Sequence, residues 1–530
     1  MQSFEPGVLV RRRPLLSLLA LTGAAGLALA APSSAAPAQP RLVFGKNSYA
    51  YTADYGEPGL AIAPDGTVYA STPGDNGAVL ARSDDKGRSW VKLPTARSTA
   101  TQAALKGGDS DVVVARDGTV YAADLNVDGI TVFRSTDKGR TFPQQAFING
   151  SADREWLAVT GAHGETVHVV WHELATGTML GVTSTDGAKT FGAPEVLYSN
   201  PQTAAESLHD GTAIGGVSVD DSGRVYVSYA TSRLTTTDTT YGTPPVDTIK
   251  MSVRDPETGT WTDHLVNAGA DDANYGNFWM ASAVDRGGDV YAVYSGYAHK
   301  GEPMHVWLQQ SSDHGVTWTP PFAVDTVLPG PPGQDLFGWV AGGGKGVAVV
   351  SWYHTAAPNK DADGIDWVVP VAQVRELASG HPSVVYGLAS DHSVHHGPIC
   401  TLGTFCGILP GSSDDRSLLD FFKVAVGPDG MPAVVWSDNN RVGSVRTGVG
   451  YARQVGGPSA FTSTLPAARE HSPSPIRLGP AQVAAQPHTS GGSLAATGLP
   501  LAVPGVALLL LLGAALVRRT RLHGTTTLEG

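Results

Sequence analysis

The sequence predicts an all-β protein: a β-propeller of four-stranded antiparallel blades, seven in number with six as the alternative. Three observations carry this. A short turn recurs four times, as SDDKGRSW (Ser83 to Trp90), STDKGRTF (Ser135 to Phe142), STDGAKTF (Ser184 to Phe191) and SSDHGVTW (Ser311 to Trp318). A longer unit recurs seven times between Arg41 and Val455, at a spacing of roughly fifty residues that suits a propeller blade. Finally, 16% charged residues and 64 glycines in 530 residues fit many short strands and tight turns better than long charged helices.

The short turns have hairpin chemistry. An Asp carboxylate accepts hydrogen bonds from the N–H groups of its own turn, and a Ser hydroxyl does so more weakly. Gly87, Gly139 and Gly315 supply a position where positive φ costs little. In the third copy the glycine is Gly187, one place early, so a slightly different turn is expected there. Trp90, Phe142, Phe191 and Trp318 then open the next strand with a large apolar ring that favours burial.

Residues 1–36 read as a secretory signal. Arg11 to Arg13 form a basic start, Leu15 to Ala30 an apolar core, and Ala28-Leu29-Ala30 a small-residue cleavage site. The run RRPLL (Arg12 to Leu16) loosely resembles a twin-arginine signal.

Residues 41–455 hold the propeller. Its long unit is an apolar run, a D-G type turn, and a second run rich in Val, Tyr and Trp, starting at Leu60, Val112, Leu157, Val217, Ser282, Val340 and Val424. Turn glycines between β-branched runs mark hairpins. After most of them come a third strand, one of the short turns or its remnant, and a fourth strand. DPETGTW (Asp255 to Trp261) is such a remnant. The last unit has a third strand, GVGYARQ (Gly448 to Gln454), but no fourth; RLVF (Arg41 to Phe44) is suited to take that place and close the ring.

Before the last unit lies HSVHHGPICTLGTFC (His392 to Cys406). Cys400 and Cys406 are the only cysteines, and in an exported chain they are expected to form a local disulfide. The alternative is a metal site using both thiols with His392, His395 or His396. No metal or cofactor is otherwise expected.

Residues 456–493 are rich in Pro, Ala, Ser and Gly without apolar periodicity, a composition expected of a flexible spacer. Residues 494–530 have three parts: LAATG, an apolar run from Leu499 to Val517, and Arg518, Arg519 and Arg521. The run is long enough to span a bilayer, and the arginines would hold its end in the cytoplasm. The formal charge of −12 argues against a nucleic-acid partner.

The repeated S-x-D-x-G-x-[ST]-[WF] turn resembles the Asp-box, or BNR, repeat of sialidases and related β-propellers. The tail resembles the L-A-x-T-G form of the cell-wall sorting signal read by sortases of high-GC Gram-positive bacteria. That resemblance implies recognition of Leu494, Ala495, Ala496, Thr497 and Gly498, cleavage after Thr497, and attachment to peptidoglycan. The expected location is therefore extracellular, anchored in the wall or by the membrane span, with the membrane touched only through residues 499–517.

By the same resemblance, Asp boxes lie on the face away from an active site. The opposite face collects the starts of first strands: Glu57, Asp111, Asp153, Arg154, Glu155, Asp210, Asn277, Asp335, Arg416 and Asp420. Links leaving second strands add Asp124, His172, Glu173, Arg233, His354 and Asp438. The strongest stretch is DREWLAV (Asp153 to Val159), because charge directly before a buried strand is costly unless the channel mouth solvates it. DDRSLLDFF (Asp414 to Phe422) is the second such stretch. Arg154, Arg416, Asp153, Glu155 and Asp420 are the catalytic candidates. Glu57, Asp111, Asp210, Asp335 and Trp156 are the ligand-binding ones. The competing account pairs Asp153 and Arg154 with a neighbouring blade, and puts Trp156, Trp279 and Trp339 in the core instead of against sugar rings.

A sialidase binds its substrate carboxylate with three arginines and attacks with a Tyr–Glu pair. The resemblance implies that Arg154 and Arg416, placed at strand entries as the family's first arginine is, could be two of those arginines. The family's F/Y-R-I-P motif is missing: the chain has YGEPGLAIAP from Tyr55, with Glu57 where a cation is wanted. The expected function is recognition of a glycan or surface glycoconjugate at the mouth, with exo-glycosidase action open. The alternative is a non-catalytic adhesion or protein-binding propeller.

Overall fold

A computed structural model describes residues 41–462, apart from 53–55, 75–76, 95–107, 127, 199–212, 233–245, 277–279, 331, 402–405, 407–414, 419 and 441–446. The expected signal peptide, most of the spacer and the whole sorting signal lie outside the described residues, as do Asp210, Asn277, Trp279 and Arg233. Among the described residues no helix is long and apolar enough to cross a membrane.

The chain forms seven antiparallel sheets arranged as blades. Blade 1 is Gly59–Ile62, Val68–Thr72, Val79–Ser83 and Val91–Lys92. Blade 2 is Ser110–Val114, Val120–Asn126, Gly129–Ser135 and Gln144–Asn149, and blade 3 is Ala152–Thr160, Thr166–Glu173, Thr178–Ser184 and Glu195–Val196. Blade 4 is Ala213–Val219, Val225–Thr231, Thr248–Arg254 and Trp261–Ala268. Blade 5 is Ala281–Val284, Val290–Gly296, His305–Ser311 and Phe322–Ala323, and blade 6 is Gln334–Gly342, Val347–Thr355, Pro370–Arg375 and Ser383–Leu388. Blade 7 is Lys423–Val426, Pro432–Asp438 and Gly448–Gly456, and its fourth place is taken from the other end of the chain. Val43–Phe44 and Ser48–Tyr51 both pair with Gly448–Gly456. The ring is closed as the sequence implied, by RLVF and the residues just after it.

Burial explains the second-strand sequences. Val290–Gly296 (VYAVYSG) is buried at every position, because both sides of the sheet are covered by neighbouring blades, so the run is apolar without alternation. Outer strands keep one wet side, as in Trp261–Ala268, where exposed and half-buried positions dominate.

All four Asp boxes join a third strand to a fourth. In the second, the Asp137 carboxylate accepts from the Thr141 N–H at 2.9 Å and the Thr141 hydroxyl at 2.7 Å. The Ser135 hydroxyl donates to Asp137 and accepts from the Gly139 N–H at 2.8 Å. These donors hold the carboxyls of Asp85, Asp137 and Asp313 down to about 2. The third box differs less than its shifted glycine suggests. Two successive residues adopt positive φ in every box, and here they are Gly187 (75°) and Ala188 (58°). The Ala188 N–H reaches Ser184 at 2.9 Å, the bond Gly139 makes in the second box. At Gly87 the absence of a side chain is compulsory: a Cβ would fall 1.9 Å from the Tyr451 ring of blade 7.

An aromatic plug fills the axis. The ring centres of Trp156 (blade 3) and Trp339 (blade 6) are 4.8 Å apart, and Phe421, just before blade 7, lies 5.1 Å from Trp156 and 6.4 Å from Trp339. Blades 3 and 6 stand across the ring from each other, so their rings meet only near its centre. Gly216 of blade 4 makes room, since a Cβ there would be 3.2 Å from Trp339.

Ordered packing continues past Val455, the expected limit of the propeller. The Ala460 N–H donates to the Gly430 carbonyl, the Gly344 N–H donates to the Ala460 carbonyl, and the Arg286 guanidinium lies over Phe461. Residues 456–462 therefore belong with the blades rather than with the spacer.

Cys400 and Cys406 are disulfide-bonded. The metal alternative fails because the sulfurs bind each other and the histidines have separate partners. His392 is bonded to Asp391 and Asp438, His395 to Asn439, and His396 to Asp366. Among the described residues no group of three or more His, Cys, Asp or Glu is arranged to hold a metal ion.

Candidate functional site at the channel mouth

The first strands of blades 3, 4 and 6 each carry a two-residue bulge, between Asp153 and Trp156, Ile214 and Val217, and Leu336 and Trp339. A bulge re-aims side chains near the end of a strand. Blade 4 uses Gly215 and Gly216, whereas blade 3 places Arg154 at φ 49° and blade 6 places Phe337 at φ 58°. Such a backbone costs a side-chain-bearing residue about 1 kcal/mol or more. The surroundings that hold Arg154 there form the site.

The Arg154 guanidinium is fully buried. Its central carbon lies 3.4 Å from the centre of the Trp156 ring and 3.7 Å from that of Phe421, and Nη1 is 3.7 Å from Asp109 Oδ2. Arg416 donates to Asp420 Oδ2 at 2.6 Å and is 3.9 Å from Glu57. Lys423 forms an ion pair with Asp111 and approaches the Trp156 and Trp339 rings at 4.9 and 5.3 Å. Six carboxyls (Glu57, Asp109, Asp111, Asp153, Glu155 and Asp420) thus share one region with three cations.

Burial and crowding shift these groups. Burial is the largest influence on Glu57, which is pushed well above the usual carboxylate range, with Asp109 and Asp420 adding repulsion. Burial also pushes Glu155 well up, opposed by Arg154. Asp420 rises through burial despite Arg416, and burial lowers Lys423. Burial, then the negative charges of Asp109 and Asp420, pushes Asp153 up to about 7. Asp153 is surrounded closely by protein yet retains partial solvent access. Asp153 is thus the one half-buried carboxyl of the six, the other five being buried.

The structure brings together Glu57, Asp111, Asp153, Arg154, Glu155, Trp156, Arg416 and Asp420, as expected, but assigns some of them other work. Asp111 is fully buried and spent on the frame. It accepts from the Val112 and Leu157 N–H groups and pairs with Lys423, joining blades 2, 3 and 7. At 0% exposure it presents no surface to a ligand. Trp156 is 1% exposed, with Arg154, Trp339 and Phe421 against it, so it is core and offers no ring face to a sugar.

Asp335 stands apart from the cluster. It accepts from Trp352 Nε1 at 2.6 Å and pairs with His354 at 2.8 Å, near a second pair, His305 and Asp325, at 2.7 Å. Burial pushes its carboxyl up to about 6. The remaining second-strand candidates are also tied locally. Asp124 accepts from the Ala78 N–H, Glu173 from the Ser151 N–H and Trp171, and Asp438 from Trp436 and His392. Burial takes the His172 ring down to about 4. In three blades a second-strand indole N–H finds a carboxylate, through Trp171, Trp352 and Trp436.

Three members of the cluster escaped the sequence reading: Asp109, Phe421 and Lys423. The signal for Asp109 was present, since it lies two residues before Asp111 and strand alternation puts both on one side. Lys423 immediately follows the DDRSLLDFF stretch and opens a buried strand, the same cue that selected Arg154.

No family model matches the chain, and no curated protein does. Among the solved structures to which the chain is similar are the following three. A protein of unknown function from Dyadobacter fermentans is 13% identical, covers 78% of this chain and 99% of its own, and has a TM-score of 0.41. An α-L-arabinanase from Penicillium chrysogenum is 13% identical over 58% of this chain and 94% of its own, with a TM-score of 0.38. A Hadza microbial sialidase is 12% identical over 77% and 68%, with a TM-score of 0.39. Likeness this distant says nothing about shared chemistry.

Proposed function

We propose that this protein is an exported, envelope-anchored propeller that recognises a glycan at its channel mouth and acts on it as an exo-glycosidase. One observation carries the enzymatic reading: Asp153 is a partly accessible carboxyl pushed up to about 7 by burial and by the negative charges of Asp109 and Asp420. A glycosidic oxygen needs a proton as its bond breaks, and a carboxyl kept protonated at working pH by burial and like charges supplies one. Asp153 takes the general-acid role. Asp420, ion-paired with Arg416 beside it, is the second carboxyl of the pair that such a reaction needs.

A second reading has its own support. Arg416 and Lys423 are each ion-paired within the protein, Arg154 is sealed under aromatic rings, and the axis is filled. A mouth with Arg416 and Lys423 committed in this way can hold a glycan without turning it over. A panel of fluorogenic glycosides, sialosides included, separates the two. Turnover by the full chain that Asp153→Asn abolishes while glycan binding survives supports the enzyme. No turnover of any glycoside, with glycan-array binding lost on Arg416→Ala, supports the binding protein. Absence of both removes the glycan reading.

Anchoring rests on the order of LAATG, apolar run and terminal arginines. Thr497→Ala should move the protein from the detergent-resistant wall fraction to the membrane fraction. Unchanged wall attachment would refute sorting at that residue.

A further inference from the structure

We infer that the tether leaves the propeller on the face opposite the channel mouth and turns the mouth away from the envelope. The glycan it meets is then carried by another surface or by the medium, not by the wall to which the protein is fixed. The inference rests on the anchoring and glycan readings and names where the ligand comes from.

Strand direction sets the two faces. Each blade is antiparallel, so its first and third strands run the same way. First strands start at the mouth, near Asp111, Asp153 and Asp335, and end at the D-G turns; third strands end at the Asp boxes. Those turns and boxes meet on the far face. Lys138 of the second box reaches Asp65 in the first turn of blade 1 at 2.6 Å, and Lys86 of the first box reaches Asp429 in that of blade 7 at 3.4 Å.

The last strand, Gly448–Gly456, is a third strand and also ends on the far face. Residues 457–462 continue there as a strap. The Ala460 N–H donates to Gly430 and the Ala460 carbonyl accepts from Gly344, in the first turns of blades 7 and 6. Gln373 and Gln454 donate to the Pro458 carbonyl at 3.1 and 2.9 Å. Arg375, fully buried, donates to the Ser459 and Thr462 carbonyls at 3.2 and 3.0 Å. Two glycines leave room for this course: a Cβ would fall 2.0 Å from Ser459 Oγ at Gly430 and 2.4 Å from the Ala460 carbonyl oxygen at Gly343. The chain is thus held to the far face as far as Thr462.

Reach then decides the orientation. Residues 463–493, as the flexible chain their composition leads one to expect, have an r.m.s. span of about 30 Å. With the mouth outward, that whole span separates propeller from wall. With the mouth inward, the spacer must first climb the blades, and a seven-residue strand such as Val225–Thr231 is about 23 Å tall. Little slack then remains for a ligand between mouth and wall.

The test places single cysteines on the two faces of one blade, in the full chain displayed on cells. Ala175→Cys lies in the link between the second and third strands of blade 3, on the mouth side, and Ala162→Cys in its first turn, on the far side; both alanines are exposed. Rates of labelling by a maleimide on a large polymer are compared with those of the purified variants. On intact cells Ala162→Cys should be slowed severalfold more than Ala175→Cys. Equal slowing, or the reverse order, in protein still found in the wall fraction would overturn the inference and leave the anchoring reading standing. Absence from the wall fraction would remove anchoring and this inference together.

Beads coated with a glycan that the purified chain binds supply a second arm. Cells displaying the chain should capture them. Binding by the purified chain without capture by cells would overturn the inference alone, and failure of the purified chain to bind any glycan would remove the glycan reading and with it the stated source of the ligand.

Discussion

The guanidinium of Arg154 stacks on the indole of Trp156, two residues along the same strand, with 3.4 Å between the guanidinium carbon and the ring centre. Consecutive alternation would place both side chains on one side of a regular strand. The bulge, with Arg154 at φ 49°, lets the cation fold back over the ring while Asp109 approaches from blade 2.

Arg154→Ala should therefore cost stability as well as function. It strands Asp109 and Glu155 in a region they share with four other carboxyls and uncovers the plug. Removing one member of a buried ion pair costs about 3 kcal/mol, readable as a lower denaturant midpoint. Arg154→Lys should not rescue it, since an ammonium does not stack as a planar guanidinium does. A variant as stable as the parent would show that Asp109 is satisfied elsewhere.

For the enzyme reading, pH dependence has a definite sign. A general acid works when protonated, and Asp153 is protonated below about 7. The profile of kcat/KM should fall as pH rises through that value. Asp153→Asn should remove both the limb and most of the rate, and a limb that persists in the variant would assign it to another group.

Asp124 makes a stability prediction independent of activity. Burial pushes its carboxyl up to about 7, and it accepts the Ala78 N–H at 2.6 Å. An unfolded aspartate titrates near 4, so folding takes up a proton between those values. Stability should decline as pH rises from about 4 to about 7. Asp124→Asn keeps an acceptor for Ala78 and removes the titration. It should melt several degrees above the parent at pH 8 and close to it at pH 4; equal melting at both would show no buried charge there.

The disulfide closes a short loop, with six residues of sequence separation between Cys400 and Cys406. Loop entropy then gives about 2 kcal/mol, which the Cys400→Ser, Cys406→Ser double variant should lose in a denaturant titration. Arg416 should stay in place, because the Cys400 N–H donates to the Asp415 carbonyl, a backbone bond that does not involve the sulfur. Intact glycan binding by the reduced protein checks that point.

Much of this architecture could be read from residue order. D-G turns between Val-rich runs and the spacing of the four boxes were enough for seven blades, and the missing fourth strand after Gln454 pointed to Arg41–Phe44. Which strand ends carry charge was legible, and Arg154, Glu57, Arg416 and Asp420 do lie in one cluster. Which charges face a ligand and which serve the frame was not. Asp111 and Asp335 look alike as acids at strand starts, yet one meets Lys423 of blade 7 and the other a tryptophan and a histidine of its own blade. Those partners are set by bulges and blade order, which leave no mark on a single strand. Ala188 makes the converse point: a glycine in the wrong place suggested a different turn, but the serine and aspartate bonds were enough to hold an alanine at positive φ.

Ring closure has a consequence for how the molecule comes into being. Val43 pairs with Gly456, roughly four hundred residues later, and contacts that distant form late because so much chain must first be brought to order. Six blades can assemble as the chain emerges, but the seventh waits for the final strand, and the opening residues stay unpaired until it arrives. A ribosome stalled anywhere before Gly448 leaves an open arc with two bare sheet edges, each a template for association with another chain.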